Sequence, residues 1–385
     1  MRNVALDLGL RKICFCEVRD GKVVARATVK SIEELEDVLG PETDTAQVAI
    51  EACREAWAAL TVLEGWGHLP LLVDTTRVKR LGIGDHGRKT DRIDAEVLAR
   101  AVEQGTLPLA HVLSAASQAL RHELGIREAL VESRAKIVIT ARGIVRAMGG
   151  KITSCETRRF AQKIRDSDLR AEVKLLLEPL VATLDRLDEQ LAVVEVALEK
   201  TCIAEETIVR LATVPGVSKI VAATYVSVID DAGRFRDAHQ VESYLGLVPN
   251  ESSSGGKRRL GAITKRGNGH ARAMLVEAAW GIYRRGVAEP LGEWVHRVAK
   301  RRGAKIAVVA LARRLAGILW AMWRDRTVYD ASGAADASAK GLRVAAQATS
   351  RQAEALARAA IKIKMLGRDA ERGLRNKSLG VTPHG

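Results

Sequence analysis

Through the first hundred residues the chain alternates short apolar runs with polar turns, and after about residue 114 it changes to a helical rhythm. Asn3–Leu8, Ile13–Val18 and Val23–Val29 are apolar stretches separated by Gly9-Leu10-Arg11-Lys12 and Arg19-Asp20-Gly21-Lys22, which predicts three strands in an antiparallel meander. Ser31-Ile32-Glu33-Glu34 has the spacing of a capping box and predicts a helix that stops at Gly40-Pro41. Ala46–Glu51 then reads as a buried strand, Arg54–Glu64 as a helix and Leu69–Val73 as another strand. From Ser114 to Lys200 no strand is predicted. Val173, Leu177, Leu180, Leu184, Leu187, Leu191, Val194 and Leu198 recur at steps of four and three, the seam of a coiled coil, and Pro179 predicts a kink or a helix start near Glu178. An earlier helix, about Gln118–Met148, can fold back on this one or pair with another subunit.

The order βββαβαβ, followed by a helix that bears Asp91 and Asp94, is that of an α/β RNase H-like domain, expected over residues 1–110. A helical coiled-coil linker or dimerisation segment is expected over 111–203, a mainly α-helical domain over 204–328 and a basic, low-order tail over 329–385. Within the third segment, Ile208-Val209-Arg210-Leu211-Ala212-Thr213-Val214-Pro215-Gly216-Val217-Ser218-Lys219 leads into the apolar Ile220–Ile229 and resembles a helix-hairpin-helix. Such an element holds a DNA phosphate with backbone N–H groups at a glycine turn, which makes Gly216, Ser218 and Lys219 candidate contacts. Ser218 stands where a second glycine is usual, and a plain helical packing unit is the competing reading. Pro249–Arg259 is a Ser/Gly-rich loop, and helices are predicted at His270–Tyr283 and Lys305–Trp323.

Composition narrows the partners. With 385 residues and 47% hydrophobic content the chain fills two or three ordinary cores. It has no apolar run of about eighteen residues and no charged leader before an apolar segment, so neither a membrane span nor a signal peptide is expected and the default compartment is the cytoplasm. The five cysteines are expected as buried thiols, since Cys14 and Cys16 follow strand alternation rather than a zinc-ligand spacing. The net charge is +14, and Lys257–Arg314 holds fifteen Lys or Arg against three acids, a local excess of +12. That concentration calls for a polyanion and favours nucleic acid, with Lys257, Arg258, Arg259, Lys265, Arg266 and Arg272 as candidate contacts.

Four carboxylates supply the candidate chemistry. Asp7 lies in Val4-Ala5-Leu6-Asp7-Leu8, Glu51 closes Gln47-Val48-Ala49-Ile50-Glu51, and Asp91 and Asp94 sit three residues apart on one predicted helix face. An acid closing a buried strand is costly unless it is paired or binds a cation, and converging carboxylates are what a hard divalent metal takes. A solvated helix with salt bridges from Arg88, Lys89 and Arg92 would account for Asp91 and Asp94 alone; Asp7 and Glu51 on apolar strands turn the balance toward Mg²⁺ or Mn²⁺ and phosphoryl chemistry, with Lys89 as a phosphate contact. The serine loop carries hydroxyls beside cations, without a histidine near it to form a triad.

Taken in order, these residues resemble the DEDD-type transposases of bacterial insertion sequences, relatives of the Piv DNA invertase, over about residues 3–328. The resemblance rests on Ala5-Leu6-Asp7-Leu8, Ala49-Ile50-Glu51-Ala52, Lys89-Thr90-Asp91-Arg92-Ile93-Asp94-Ala95, Val214-Pro215-Gly216-Val217, Tyr244-Leu245-Gly246-Leu247-Val248-Pro249, Ser254-Gly255 and Ile263-Thr264-Lys265-Arg266-Gly267-Asn268. It implies a RuvC-like N-terminal domain whose acids Asp7, Glu51, Asp91 and Asp94 hold Mg²⁺, and a transposase domain whose nucleophile is the serine before Gly255, Ser254 rather than Ser252 or Ser253. It also implies a phosphoserine intermediate, a homodimer assembling to a tetramer with shared active sites, an element-encoded bridge RNA that guides donor and target DNA, and a place with the bacterial nucleoid. One departure is visible: where the family often has a Thr-Gly-x-Tyr-like turn after the glutamate, this chain has Ala52-Cys53-Arg54-Glu55-Ala56-Trp57. Three competing readings remain open at this stage: a metal-dependent junction nuclease or DNA invertase, an ATPase suggested by Asp7-Leu8-Gly9, and a non-enzymatic RNA- or DNA-binding protein.

Overall fold

The two sides of the first strand differ, and the sheet is built on that difference. In the computed structural model, which describes residues 1–41, 43–78, 91–251, 260–286 and 290–330, five strands form the order β3-β2-β1-β4-β5. They are β1 (Arg2–Leu8), β2 (Ile13–Arg19), β3 (Lys22–Val29), β4 (Ala46–Glu51) and β5 (Leu69–Val73). The first three make the expected antiparallel meander, while β4 and β5 run parallel to β1. One face presents Val4, Leu6, Val48, Ile50 and Leu72 to Leu60 and Leu63 of α2 (Ala56–Gly65), which follows α1 (Glu36–Leu39). The other face presents Ala5, Ala49 and Val73, beside α3 (Thr75–Val78), to Leu98, Ala99 and Val102 of α4 (Asp91–Glu103). Small residues on that second face let α4 lie close to the strands.

Local chemistry fixes the joints. Buried His68 accepts from the Ala46 N–H through Nδ1 (3.1 Å), and its Nε2 donates to the carbonyl of Leu39 (2.5 Å), tying the start of β4 to the end of α1. Glu17, buried on β2, takes two hydrogen bonds from the Arg2 guanidinium at 3.2 and 2.8 Å. The capping box expected at Ser31–Glu34 is not the one formed. The Glu34 carboxylate reaches back to the N–H of Lys30 instead, and the segment starts as a 3₁₀ turn at Glu33–Leu35 before α1 adds one α-helical turn. All five cysteines are free thiols, and burial pushes those of Cys16, Cys53 and Cys202 above the ordinary range, which suits packing rather than reactivity.

The chain divides into two compact units, Met1–Leu113 and the remainder from Ser114. The second unit begins with α5 (Ala115–Ala147), α6 (Phe160–Arg165) and α7 (Ala171–Ala204). Leu120 and Leu124 share a core with Leu198 and Cys202, whereas Val138, Ala141 and Val145 pack with Val173, Leu177 and Val181, so α5 and α7 form an antiparallel hairpin within the chain. Helix α7 runs through Pro179 without the expected new start. The backbone bond that proline removes belongs to the carbonyl of Leu175, an exposed residue.

Helices α8 (Glu206–Leu211), α9 (Lys219–Ile229), α10 (Ala238–Tyr244), α11 (Gly269–Arg285), α12 (Pro290–Arg302) and α13 (Ala304–Asp325) follow, with a two-stranded antiparallel ribbon of β6 (Pro249–Glu251) and β7 (Leu260–Ile263) between α10 and α11. Leu120, Leu124, Leu198 and Cys202 belong to the same core as α8 to α13, so the helical linker and the later domain of the expected organisation are joined by one apolar interior. At its centre is α13, the single helix among the described residues long and apolar enough to cross a membrane. Its Leu311, Leu315 and Leu319 are fully buried, the hydroxyl of buried Tyr225 donates to its Ala316 carbonyl (2.8 Å), and its Trp320 donates to the carbonyl of Ala232 (3.0 Å). It is the core helix of this unit.

On α4, Glu96 joins Arg100 (2.8 Å) and Arg26, and these partners hold its carboxyl below the usual range, Arg100 foremost. A depressed folded-state value contributes stability that is full above the ordinary carboxylate pKa of about 4.3 and is lost as pH falls through the folded value. Glu96→Gln is therefore expected to lower the stability of the first unit by about 0.5–1 kcal/mol at pH 7, the scale of a partly screened pair, with the gap to the parent closing on acidification below about pH 4 in denaturant titrations.

Candidate active site

Strand register brings two of the four acids together. Leu6 of β1 stands opposite Ile50 of the parallel β4, so Asp7 and Glu51 are the next positions on neighbouring strands, about 5 Å apart at their backbones. Alternation puts both on the face shared by Ala5 and Ala49, the face that α4 covers. Asp7 and Glu51 are half-buried, and Asp94, in the first turns of α4 beside the sheet-facing Ala95 and Leu98, is 7% exposed. Asp91 opens the same helix; its side chain, like Lys89, lies outside the described residues. Among the described residues no three His, Cys, Asp or Glu side chains form a metal-holding group, and Asp7, Glu51 and Asp94 each have a partner. By donor chemistry the four acids suit a hard divalent cation, since every ligand would be a carboxylate oxygen.

Another acid at this sheet edge escaped the sequence reading. Asp74 follows the apolar β5 as Glu51 closes β4, so the same signal was there to be read. Its carbonyl accepts from the N–H groups of Arg77 and Val78 (3.0 Å each), and its carboxylate meets Arg77 at 3.4 Å. The departure after Glu51 is a bend, Ala52–Glu55, anchored by the Ala52 N–H on the Val73 carbonyl (3.1 Å). At the β1–β2 turn the Gly9 N–H is spent on the Lys12 carbonyl (2.9 Å), which leaves it unavailable to cradle a nucleotide phosphate.

The serine loop is held at its base by backbone packing. Ser252, Ser253, Ser254, Lys257, Arg258 and Arg259 lie outside the described residues, but the strands that carry them, β6 and β7, do not. Below the ribbon, Thr264 donates its N–H to Val248 (2.9 Å) and Lys265 to Gly246 (3.1 Å). Two chain segments touch there: a Cβ on Gly246 would stand 2.1 Å from the Arg266 carbonyl oxygen, and one on Gly267 would stand 2.0 Å from that of Tyr244. Both glycines have positive φ (+69° and +78°), and Lys265 sits at +55°, a conformation that costs a non-glycine residue about 1 kcal/mol or more. Arg272, on the first turn of α11, clamps the crossing by donating from Nη1 to the carbonyls of Leu245 (3.0 Å) and Arg266 (3.1 Å). Lys265 and Arg266 themselves are exposed.

The glycine turn before α9 is occupied in a similar way. Gly216 has φ +85°, and a Cβ there would stand 2.5 Å from the Ile282 side chain of α11. The Ser218 hydroxyl caps α9 by accepting from the Val221 N–H (3.3 Å), and Lys219 is joined to Glu199 of α7. These contacts give each of the three residues a packing or capping task within the second unit.

Comparison with known proteins matches the chain in two stretches, the first of which runs past the boundary of the first unit into α5. Residues 4–148 match a DEDD-type IS110 domain described as a transposase, and residues 209–290 match the transposase IS116/IS110/IS902 family. A probable family 20 transposase of Pseudomonas aeruginosa is 30% identical over 290 residues, which cover 73% of this chain and 85% of that protein. The transposase for insertion sequence element IS1111A of Coxiella burnetii is 28% identical over 339 residues, 86% of this chain and 91% of its own length. That for IS1328 of Yersinia enterocolitica is 26% identical over 331 residues, 85% and 98% of the two chains.

If the glycine crossing sets the base of the serine ribbon, Gly246→Ala or Gly267→Ala must move backbone against backbone. Each is expected to destabilise the second unit by on the order of 3 kcal/mol in chemical denaturation. Gly261→Ala is the control: on β7 its Cβ would meet nothing nearer than 3.8 Å, and it should stay within about 0.5 kcal/mol of the parent.

Proposed function

The chain belongs to the IS116/IS110/IS902 family of insertion-sequence transposases, and from that membership we propose that it cuts and rejoins DNA through Ser254, with Asp7, Glu51, Asp91 and Asp94 holding a divalent cation. The observation that carries this reading is the register of β1 and β4, which sets Asp7 beside Glu51 on the face covered by the helix of Asp94. The RNase H-like (RuvC-like) identity of the first unit belongs to the same proposal, supported by the strand order β3-β2-β1-β4-β5.

In this mechanism the Ser254 oxygen attacks a phosphodiester phosphorus, one P–O bond forming as the bond to the departing sugar oxygen breaks. The hydroxyl proton leaves to solvent and the departing oxygen takes one up, so the exchange of esters keeps the phosphate bond energy for rejoining. Bound Mg²⁺ or Mn²⁺ would polarise the phosphate and ease loss of the serine proton. Lys257, Arg258, Arg259, Lys265 and Arg266 flank the serine and offset the charge of the strand, and Lys89 does so beside the acids. Arg272 serves by holding the crossing under the ribbon.

Assembly and guidance extend the reading. The outer side of the α5–α7 hairpin leaves Leu175 78%, Val193 64% and Ile139 69% exposed, a surface suited to self-association into the dimer and tetramer that the family resemblance implies. The excess of cations in the second unit suits DNA ends, target DNA and a guide RNA, which would copurify with the active protein.

Incubation with DNA carrying the element's ends followed by denaturation tests the chemistry. The parent is expected to leave a covalent protein–DNA adduct, Ser254→Ala none, and Asp7→Asn or Asp94→Asn should reduce strand transfer on the order of 10²-fold or more. Full strand cleavage by Ser254→Ala, together with inactive Asp94→Asn, would instead identify a water-using nuclease.

A further inference from the structure

The second unit carries a cationic corner that lies apart from the serine ribbon in sequence. Helix α12 turns into α13 through Gly303 alone, at φ +82°. On the inner side of α12, Leu291 and Val295 are buried in the core and Trp294 and Val298 pack against it. On the outer side Arg297, Lys300 and Arg301 recur at i, i+3 and i+4, and Arg302 and Lys305 continue the charge around the corner. All five are exposed, and among the described residues none makes an ion pair. Glu293, one turn before Arg297 and also exposed, joins none of them either.

Five cations on one corner repel one another; the carbonyl end of α12 favours Lys300, Arg301 and Arg302, but among the described residues no carboxylate pairs with any of the five. The platform under them is firm. Tyr283 of α11 stacks on His296 of α12 with ring centroids 4.7 Å apart, and the Arg314 guanidinium of α13 lies 5.1 Å over the Trp294 ring. Burial pushes Arg314 below its ordinary range, so it acts as a packed flat cation of the interior, whereas the corner residues stay in water. From Arg297 to Arg302 the helix rises about 7.5 Å, which spans roughly two phosphates along one strand of a duplex.

We infer that the α12–α13 corner, through Arg297, Lys300, Arg301, Arg302 and Lys305, docks the phosphate backbone of duplex DNA. The inference rests on the transposase reading and adds where the duplex is gripped away from the reacting phosphate. Contacts from these cations to phosphates carry no sequence information, so the corner positions DNA and does not choose it.

Binding of full-length protein to a duplex of arbitrary sequence, between about 50 and 200 mM salt, tests this. For the triple variant Arg297→Ala, Lys300→Ala, Arg301→Ala, the slope of log affinity against log salt should become shallower by about 2 to 3, near 0.9 per lost phosphate contact, with affinity falling at least tenfold at low salt. Alanine suits these exposed helix positions, and an unchanged helical circular dichroism spectrum checks that the variant folds. A control that removes as much charge elsewhere, Lys136→Ala, Lys151→Ala, Lys200→Ala, should leave the slope nearly unchanged. The proposal is overturned if the corner variant keeps the parental slope, if the control loses as much, or if only binding to an RNA hairpin weakens. A parental protein whose duplex binding does not depend on salt would overturn the proposed action on DNA itself.

Discussion

Everything proposed for the first unit depends on β1 lying parallel to β4 in a single register. The side-chain period of a strand is two, so a slip of one residue would send either Asp7 or Glu51 to the opposite face of the sheet. The slip is prevented by packing on both sides. Val4, Leu6, Val48 and Ile50 fill one apolar layer, and Ala5 and Ala49 admit α4 on the other. Hence the two acids owe their neighbourhood to the hydrophobic core: the chemistry at the strand ends is set by residues that never touch it.

The second unit meets the corresponding problem with backbone rather than side chains. The serine proposed as the nucleophile is only as well placed as the ends of its loop. Here the ends are two strands whose base is a crossing of two main chains, too close for any Cβ at Gly246 or Gly267 and clamped by Arg272. The strained φ of Lys265 belongs to this crossing, where strain is retained because the surroundings overdetermine it. Arg272 illustrates how a cation counted toward a polyanion in the sequence can be committed to carbonyls in the fold, while Arg297 and Arg301 remain available.

Much of the first unit was legible because its strands are short, alternating and separated by turn residues, and because Asp7 and Glu51 interrupt apolar runs where acids are costly. What was not legible was pairing. That β4 joins β1 is a long-range fact, and the spacing of Asp7 and Glu51 along the chain gives no hint of it. Local rules failed where two partners competed for one group, as when Glu34 took the Lys30 N–H and undid the capping box. Length hid others: α8 and α10 are too short for periodicity to stand out, and the Ser/Gly run masked β6 and β7. Pro179 was read as a kink or a helix start because propensity is local, whereas the buried Val173, Leu177, Val181 and Leu184 carry α7 on across it without a new start.

Helix α13 has a consequence for synthesis. It is the most apolar long helix among the described residues, and the described helices packed against it, α8 to α12, all lie earlier in the sequence. As the chain leaves the ribosome, its cover is already made when α13 emerges, so its time as a bare sticky helix is short. The earlier helices bear the waiting instead, their apolar faces open until the last one arrives. A message truncated before residue 304 would release a product with that gap unfilled, a ready client for chaperones and proteases.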